Sequence, residues 1–160
     1  MKSAILHCFN MNLHSAQEYV AATPAGKETE LPHGLPNHPV WIIGHLTTAI
    51  DMAGTLLGQP KATPESWEAL FGNNSKPVAD ASKYPSLAEL IAKYATIHAA
   101  VGKAFESASD ATLATPMPEQ WRKYFPTTAD ALMFLMLNHE QFHLGQYSAW
   151  RRSIGLPSLH

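Results

Sequence analysis

The sequence has little charge and no excess of positive charge. Only 15% of its 160 residues are charged, and 11 Lys and Arg stand against 13 Asp and Glu, which gives a formal net charge of −2. Proteins that hold DNA or RNA neutralise its phosphates with clustered Lys and Arg. The composition argues against such a surface, so we expect no nucleic-acid partner.

Cysteine and long hydrophobic runs are also scarce. Cys8 is the only cysteine, which excludes an internal disulfide. His7, Asn10 and Asn12 interrupt the first residues and make a poor secretory signal, so we expect a reducing, cytoplasmic setting. The longest stretch without charge, residues 31–50, contains three prolines and three histidines, which excludes a lipid-spanning helix. We therefore expect a soluble protein with no membrane partner.

The hydrophobic periodicity of the chain is helical, and no stretch alternates as a strand does. A chain of this length can bury about two-thirds of the surface that it exposes when unfolded, so we expect one domain over residues 1–160. The pattern predicts four long helices and one short connector helix, approximately over residues 2–22, 38–58, 64–71 (the connector), 87–107 and 128–153. Four helices around one core predict an all-α four-helix bundle.

Capping residues indicate where the long helices begin and end. Asn37 is the predicted N-cap of the second helix, and Ser86 with Glu89 forms a capping box before the third. Thr127 predicts the start of the fourth helix, and Gly155 follows its end. Because the second helix is apolar on nearly all sides, we expect it to be central in the bundle.

Histidine, unlike charge, is abundant, with nine in the chain. His139 and His143 lie four residues apart on the fourth predicted helix, so their side chains share one face, one turn apart. Apolar residues before and after them on this face indicate that it turns inward. Two buried imidazoles need partners for their ring nitrogens, and one divalent metal ion satisfies both. The alternative is two ordinary core histidines bonded to nearby carbonyls or carboxylates.

Residues 139–143 (HEQFH) also match the H-E-x-x-H pattern of zinc peptidases, in which the glutamate is the base for a metal-bound water. Such peptidases take a third ligand from downstream, but only 17 residues follow His143, and Ala149 stands where the extended metzincin pattern has histidine. A third ligand therefore has to come from upstream. Glu140 is a candidate base or partner to a ligand imidazole, and equally a solvated or salt-bridged helix residue. Gln146 is interpreted as a helix-packing residue.

The upstream histidines differ in their surroundings. His45 lies inside the helix that is apolar all round, which makes it the strongest candidate for a third ligand. Gly44 beside it allows a neighbouring helix to approach closely. His98, beside the buried stripe of the third helix, is a rival candidate. Two histidines in or beside a proline-rich loop are expected to be solvated: His33 and His38.

Three segments together resemble the DinB-like (YfiT-like) superfamily of metal-dependent enzymes: residues 37–46 (NHPVWIIGHL), 138–146 (NHEQFHLGQ) and 150–157 (WRRSIGLP). The resemblance covers nearly the whole chain. It implies a four-helix bundle with up-down-down-up connectivity and three histidines that bind a divalent ion, usually nickel or zinc. Matched residue by residue, these ligands fall on His45, His139 and His143. The family name refers to DNA damage induction and implies no DNA binding.

The resemblance also implies a class of reaction. Characterised relatives include metal-dependent transferases and isomerases that use low-molecular-weight thiols such as bacillithiol or mycothiol. Three histidine ligands leave a coordination position open, and a thiol that enters it is held as the nucleophilic thiolate. We therefore expect transfer of a low-molecular-weight thiol to an electrophilic small molecule, by a protein that the family pattern implies to be a homodimer. Two alternatives stay open: a zinc hydrolase or peptidase with Glu140 as base, and a non-catalytic metal- or ligand-binding bundle.

Overall fold

Helices make up the regular structure of the protein. The computed structural model describes residues 1–32 and 34–159, so His33 and His160 lie outside the described residues. Eight α-helices form within this part of the chain: α1 (Lys2–Ala21), α2 (Pro39–Leu56), α3 (Trp67–Phe71), α4 (Leu87–Ser107), α5 (Asp110–Leu113), α6 (Glu119–Arg122), α7 (Thr128–Met133) and α8 (Glu140–Ser153). No strand occurs among the described residues, which confirms the all-α class. The predicted connector helix is confirmed as α3, although it is shorter than expected.

Four long elements surround the core: α1, α2, α4 and the continuous unit that runs from α7 into α8. Helix α2 packs most extensively against α4 and also against α8, while α1 packs against the same two helices. Helices α1 and α2 therefore occupy opposite corners of a four-sided bundle. Fourteen of the eighteen residues of α2 are buried, as its apolar composition predicts. The up-down-down-up order of the helices stays a prediction.

Most of the predicted helix ends are confirmed. Ser86 and Glu89 form the capping box of α4, and Thr127 forms a second box with Asp130 at the start of α7. Gly155 follows α8 with φ of 81°, the left-handed conformation that favours glycine after a helix. These residues act through local hydrogen bonds, which is why the sequence reveals them.

The predictions for Asn37 and His38 are wrong. His38 is the N-cap of α2, because its Nδ1 accepts a hydrogen bond from the backbone N–H of Trp41 over 3.1 Å. Its Nε2 donates to the carbonyl oxygen of Val78, also over 3.1 Å, and the side chain is fully buried. Burial lowers the pKa of His38 to about 4, so the ring is neutral and keeps its capping lone pair.

The fourth predicted helix contains an irregular turn. Residues Phe134–His139 form a π-helical turn between α7 and α8. Asn12 of α1, which is itself buried, donates to the carbonyl oxygen of Met136 over 3.1 Å and to Oε2 of Glu140 over 2.9 Å. A π turn interrupts the regular ladder of helix hydrogen bonds, so a side chain from another helix can bond there. Hydrophobic periodicity does not reveal this turn.

The connection between α4 and α7, which the sequence predicts as a polar crossing, contains α5 and α6. Backbone hydrogen bonds fasten it to the start of α7: the N–H of Thr128 donates to Thr115 over 2.8 Å, and the N–H of Met117 donates to Pro126 over 3.2 Å. In the described part of the chain, no helix is both long enough and apolar enough to cross a membrane.

Candidate metal centre

Three histidine side chains converge where α2 faces the π turn and α8. His45 belongs to α2, His139 ends the π turn, and His143 lies in the first turn of α8. One ring nitrogen of each lies within 4.8 Å of the other two. The Nε2 atoms of His45 and His139 are 3.1 Å apart. The structure thus brings together the three residues proposed from the sequence as metal ligands.

Hydrogen bonds fix the tautomers of two of the rings. The Nδ1 of His45 donates to the carbonyl oxygen of Phe71 over 2.6 Å, and the Nδ1 of His143 donates to Oε1 of Gln146 over 3.0 Å. Both partners are acceptor oxygens, so each neutral ring carries its proton on Nδ1 and keeps a lone pair on Nε2. Metal-ligating histidines are oriented in this way by a partner on the other ring nitrogen.

Burial keeps the three imidazoles neutral. Removal from water lowers the pKa of His45, and it lowers the pKa of His139 to about 4 and of His143 to about 3. The neighbouring histidines lower the pKa of His139 and His143 further, because a second positive charge nearby is unfavourable. Neutral imidazole is the form that binds a metal ion.

The lone pair on Nε2 of His45 and the spacing of the rings fit a divalent ion. The Nδ1 of His139 has no hydrogen-bond partner among the described residues, and it is unpartnered whether the two facing nitrogens share a proton or a metal ion. Two nitrogens on a tetrahedral zinc ion lie about 3.3 Å apart, close to the 3.1 Å between His45 and His139. Imidazole ligands suit zinc and nickel alike.

Close packing sets the position of His45. A Cβ atom on Gly44 would lie only 2.3 Å from the ring of Phe71, so glycine is required for the approach of α3. This confirms the close approach predicted at Gly44 and places the Phe71 carbonyl beside the His45 ring. On another side, Trp41 stacks on His45 with 4.6 Å between centroids and 9° between planes, and its Nε1 donates to Oγ of Ser75 over 2.7 Å.

The sequence did not identify the residues that orient His143. Gln146, interpreted there as a packing residue, accepts the Nδ1 proton of His143. The same Oε1 atom accepts a second hydrogen bond from Nδ2 of Asn37 over 2.9 Å. The spacing of three residues between His143 and Gln146 is a signal that could have shown the first contact. The contact with Asn37 joins residues 109 positions apart, so no local pattern could show it.

Glu140 belongs to a second buried polar cluster. Its Oε2 accepts from Asn12, its Oε1 accepts from the hydroxyl of Tyr94, and the Nε2 of His98 lies 3.7 Å from Oε1. Burial raises the pKa of Glu140 and lowers the pKa of His98, so both groups favour the neutral form over an ion pair. His98, the rival candidate ligand, therefore lies beside Glu140 and is not one of the three clustered histidines.

The contacts of Glu140 test its predicted role as the base for a metal-bound water. Its carboxyl group is fully buried, and none of the hydrogen bonds in the described part of the chain joins it to the three histidines. A peptidase needs this carboxylate within reach of the metal-bound water. The observed contacts instead hold Glu140 against α1 and α4, which argues against the peptidase alternative.

Two cavities meet at His45 and His139. One of them, of about 440 Å³, is lined by these two histidines and mainly by apolar side chains; we call it the apolar pocket and define it by Ala49, Met52, Met117, Trp121, Phe125 and Phe134. A second pocket, of about 530 Å³, is lined by all three histidines together with Trp41, Asn73, Phe134, Asn138 and Phe142. His45, His139, Asn73 and Phe134 belong to both cavities.

The fold and the site together define an all-α bundle protein in which facing helices carry a candidate three-histidine metal centre. The family model of the DinB superfamily matches residues 9–147, and the chain belongs to this superfamily. A search of curated proteins finds no match to the chain. Membership of the superfamily and the histidine cluster both fit a protein that binds a divalent metal ion.

Proposed function

We propose that this protein is a metal-dependent transferase that joins a low-molecular-weight thiol to an electrophilic small molecule. His45, His139 and His143 hold a divalent ion, nickel or zinc, through their facing nitrogens. The observation that carries the proposal is the pair of Nδ1 hydrogen bonds, to Phe71 and Gln146, which leave a lone pair on Nε2 of His45 and of His143 in a cluster whose ring nitrogens lie within 4.8 Å of one another.

Each nearby residue has a role in this proposal. A divalent ion bound here supplies the positive charge that lowers the pKa of an incoming thiol and so favours its nucleophilic form. Phe71 and Gln146 fix the orientation of two ligand rings. Trp41 covers one face of His45, and Phe134 lies 5.5 Å from the ring of His139, so both side chains exclude water from the ligands.

The two cavities support a reaction between two molecules. Both are lined by His45 and His139, yet each also has lining residues of its own, such as Trp121 in the apolar pocket and Phe142 in the second. A thiol and an electrophile can therefore reach the same pair of histidines from different cavities. Holding two reactants in this way is a principal source of catalytic rate.

Metal content tests the ligand set. We expect near-stoichiometric nickel or zinc in the purified protein by elemental analysis, and its loss in each of three variants, His45→Ala, His139→Ala and His143→Ala. His98→Gln, a change at a buried histidine outside the cluster, and His14→Ala, a change at an exposed one, are the controls and should retain metal. Metal lost from His98→Gln but kept in His45→Ala would refute the ligand set.

Thiol binding tests the reaction class. In cobalt-substituted protein, added thiol should change the visible spectrum, because sulfur coordination alters the ligand field, and turnover with an electrophile should require the metal. Tight metal binding without any spectral change or reaction with thiols would instead indicate a non-catalytic metal-binding bundle. Cleavage of an unstructured protein that stops in Glu140→Gln would indicate the peptidase.

A further inference from the structure

Several large apolar side chains that lie outside the hydrophobic core line the apolar pocket. Trp121 is 48% exposed, and Met52 and Phe134 are also exposed, although all three line one cavity. Exposed apolar surface concentrated around a cavity marks a ligand site. The volume of about 440 Å³ lies within the range of about 300–1,000 Å³ that is typical of small-molecule sites.

Aromatic rings connect this pocket to the candidate metal ligands. The rings of Phe125 and Phe134 are 5.0 Å apart, and Phe134 in turn lies 5.5 Å from the ring of His139. Because His45 and His139 line the same cavity, a molecule bound against these rings also reaches the histidines. Flat aromatic ligands make favourable contacts with such a wall.

The charge of the lining is the second observation. No Lys or Arg lines the apolar pocket in the part of the chain that the structure describes, and Glu68 is its only charged residue. Arg122 and Lys123 follow Trp121 directly, but neither lines the cavity. The Nε of Arg122 donates to the carbonyl oxygen of Met117 over 3.1 Å, and the Nζ of Lys123 lies 4.6 Å from the ring centre of Tyr124.

Along the wall of this pocket an anionic ligand would therefore gain no Lys or Arg partner, and it would also meet the carboxylate of Glu68. The divalent ion proposed above would attract most strongly a group that reaches the histidines. Transfer of an unpaired charge from water to an apolar site is costly. A neutral ligand avoids this cost, and a ligand with a protonated amine gains attraction to Glu68.

We propose that the apolar pocket binds the electrophilic substrate, and that this substrate is an apolar, aromatic molecule without negative charge. That the bound molecule reacts with a thiol rests on the function proposed above. Its chemical class follows from the lining of the pocket alone. The second pocket, which has Asn138 in its wall, is left for the thiol.

Three naphthalene probes of matched shape test the charge preference on the protein as purified, by isothermal titration calorimetry. Naphthalenemethanol is neutral, naphthylmethylamine is cationic, and naphthalenesulfonate is anionic and a poor metal ligand. We expect the neutral and cationic probes to bind at least about tenfold more tightly than the sulfonate. Equal or tighter binding of the sulfonate would overturn the proposal. In Glu68→Gln, the cationic probe should lose affinity while the neutral probe keeps it.

Aromatic variants locate the probe. Trp121→Ala should weaken binding of naphthalenemethanol by about three- to tenfold, because the ring is lost from the pocket wall. Two controls should bind as wild type: Tyr124→Ala removes an exposed ring outside the lining, and Asn138→Ala changes only the second pocket. Unchanged binding in Trp121→Ala, or equal loss in Tyr124→Ala, would overturn the placement.

The two proposals fail in distinguishable ways. If the neutral probe binds as described but the protein shows no metal-dependent thiol transfer, the pocket assignment is supported and the proposed function is refuted. If thiol transfer occurs but naphthalenemethanol neither binds nor competes with the electrophile, the proposed function is supported and the pocket assignment is refuted.

Discussion

At the scale of single residues, the candidate site is defined by which nitrogen of each imidazole carries the proton. The Phe71 carbonyl and the Gln146 side chain settle this for His45 and His143. Neither partner is charged, so the rings are oriented without an ion pair that would hold them protonated. Asn37 extends the arrangement by bonding the same oxygen of Gln146.

Loss of the Gln146 side chain should weaken metal binding. In Gln146→Ala, Nδ1 of His143 loses its acceptor, so we expect metal affinity to fall about 10–100-fold, as is typical when such a partner is removed. Competition with a chelating dye measures the change. Asn138→Ala, which removes an exposed amide near the site, should leave affinity unchanged. Wild-type affinity in Gln146→Ala would show that the contact does not orient the ligand.

Buried His38 predicts a specific dependence of stability on pH. Its pKa is lowered to about 4 in the folded protein, against 6.5 in the unfolded chain. Between these values the unfolded chain binds a proton that the folded protein excludes. The free energy of unfolding therefore falls as pH decreases from 6.5 to about 4, by up to about 1.4 kcal/mol per pH unit, and His38 adds no further loss below that range.

The variant His38→Asn isolates this contribution. Asparagine is a good N-cap that does not titrate. Urea unfolding at several pH values should show that the wild type loses stability relative to the variant as pH falls through this window. A difference that stays constant with pH would contradict the neutral, capping role of His38.

At the scale of elements, the π turn Phe134–His139 is the feature that most affects the site, because His139 is its last residue. Its position depends on α1, since Asn12 donates to both the Met136 carbonyl and the Glu140 carboxyl group. Tyr94 of α4 donates to the other oxygen of Glu140. Two helices that carry none of the three clustered histidines therefore hold the junction of the π turn and α8, which carries His139 and His143.

Removal of the Asn12 side chain should destabilise the bundle. Asn12→Ala removes a donor from a buried carbonyl and from a buried carboxyl oxygen, which costs about 1–3 kcal/mol for each group left unsatisfied. Urea unfolding measures the loss, and Asn10→Ala, a change at an exposed residue of the same helix, is the control. We also expect weaker metal binding, because His139 follows the affected turn. Wild-type stability in Asn12→Ala would refute the role of this contact.

At the scale of the whole molecule, the candidate ligands join α2 to the middle of the continuous unit that runs from α7 into α8. His45 and His139 are 94 residues apart in sequence, so an ion that binds both is also a cross-link that the unfolded chain lacks. Binding of the ion at this site therefore stabilises the folded bundle relative to the unfolded chain.

Metal removal should lower the melting temperature. An ion present at one hundred times its dissociation constant adds about 2.7 kcal/mol, or about 5–10 °C for a chain of this size. Calorimetry before and after treatment with a chelator measures the shift. His139→Ala, which lacks one ligand, should melt at the same temperature with and without metal. A shift of equal size in that variant would place the stabilising ion elsewhere.

The sequence by itself determined the all-α class, most helix ends and the pairing of His139 with His143, since these depend on periodicity, local capping and the spacing of side chains. The apolar surroundings of His45 and the family resemblance added the third histidine. Thr127 and Gly155 act within one turn of chain, and His139 and His143 share a face whenever the segment is helical. The tertiary structure decided the rest: the π turn held by Asn12, the burial of His38, the partners of His143 and the surroundings of Glu140. Each of these depends on contacts between residues distant in sequence, whose hydrogen-bond partners are chosen only when the helices pack together.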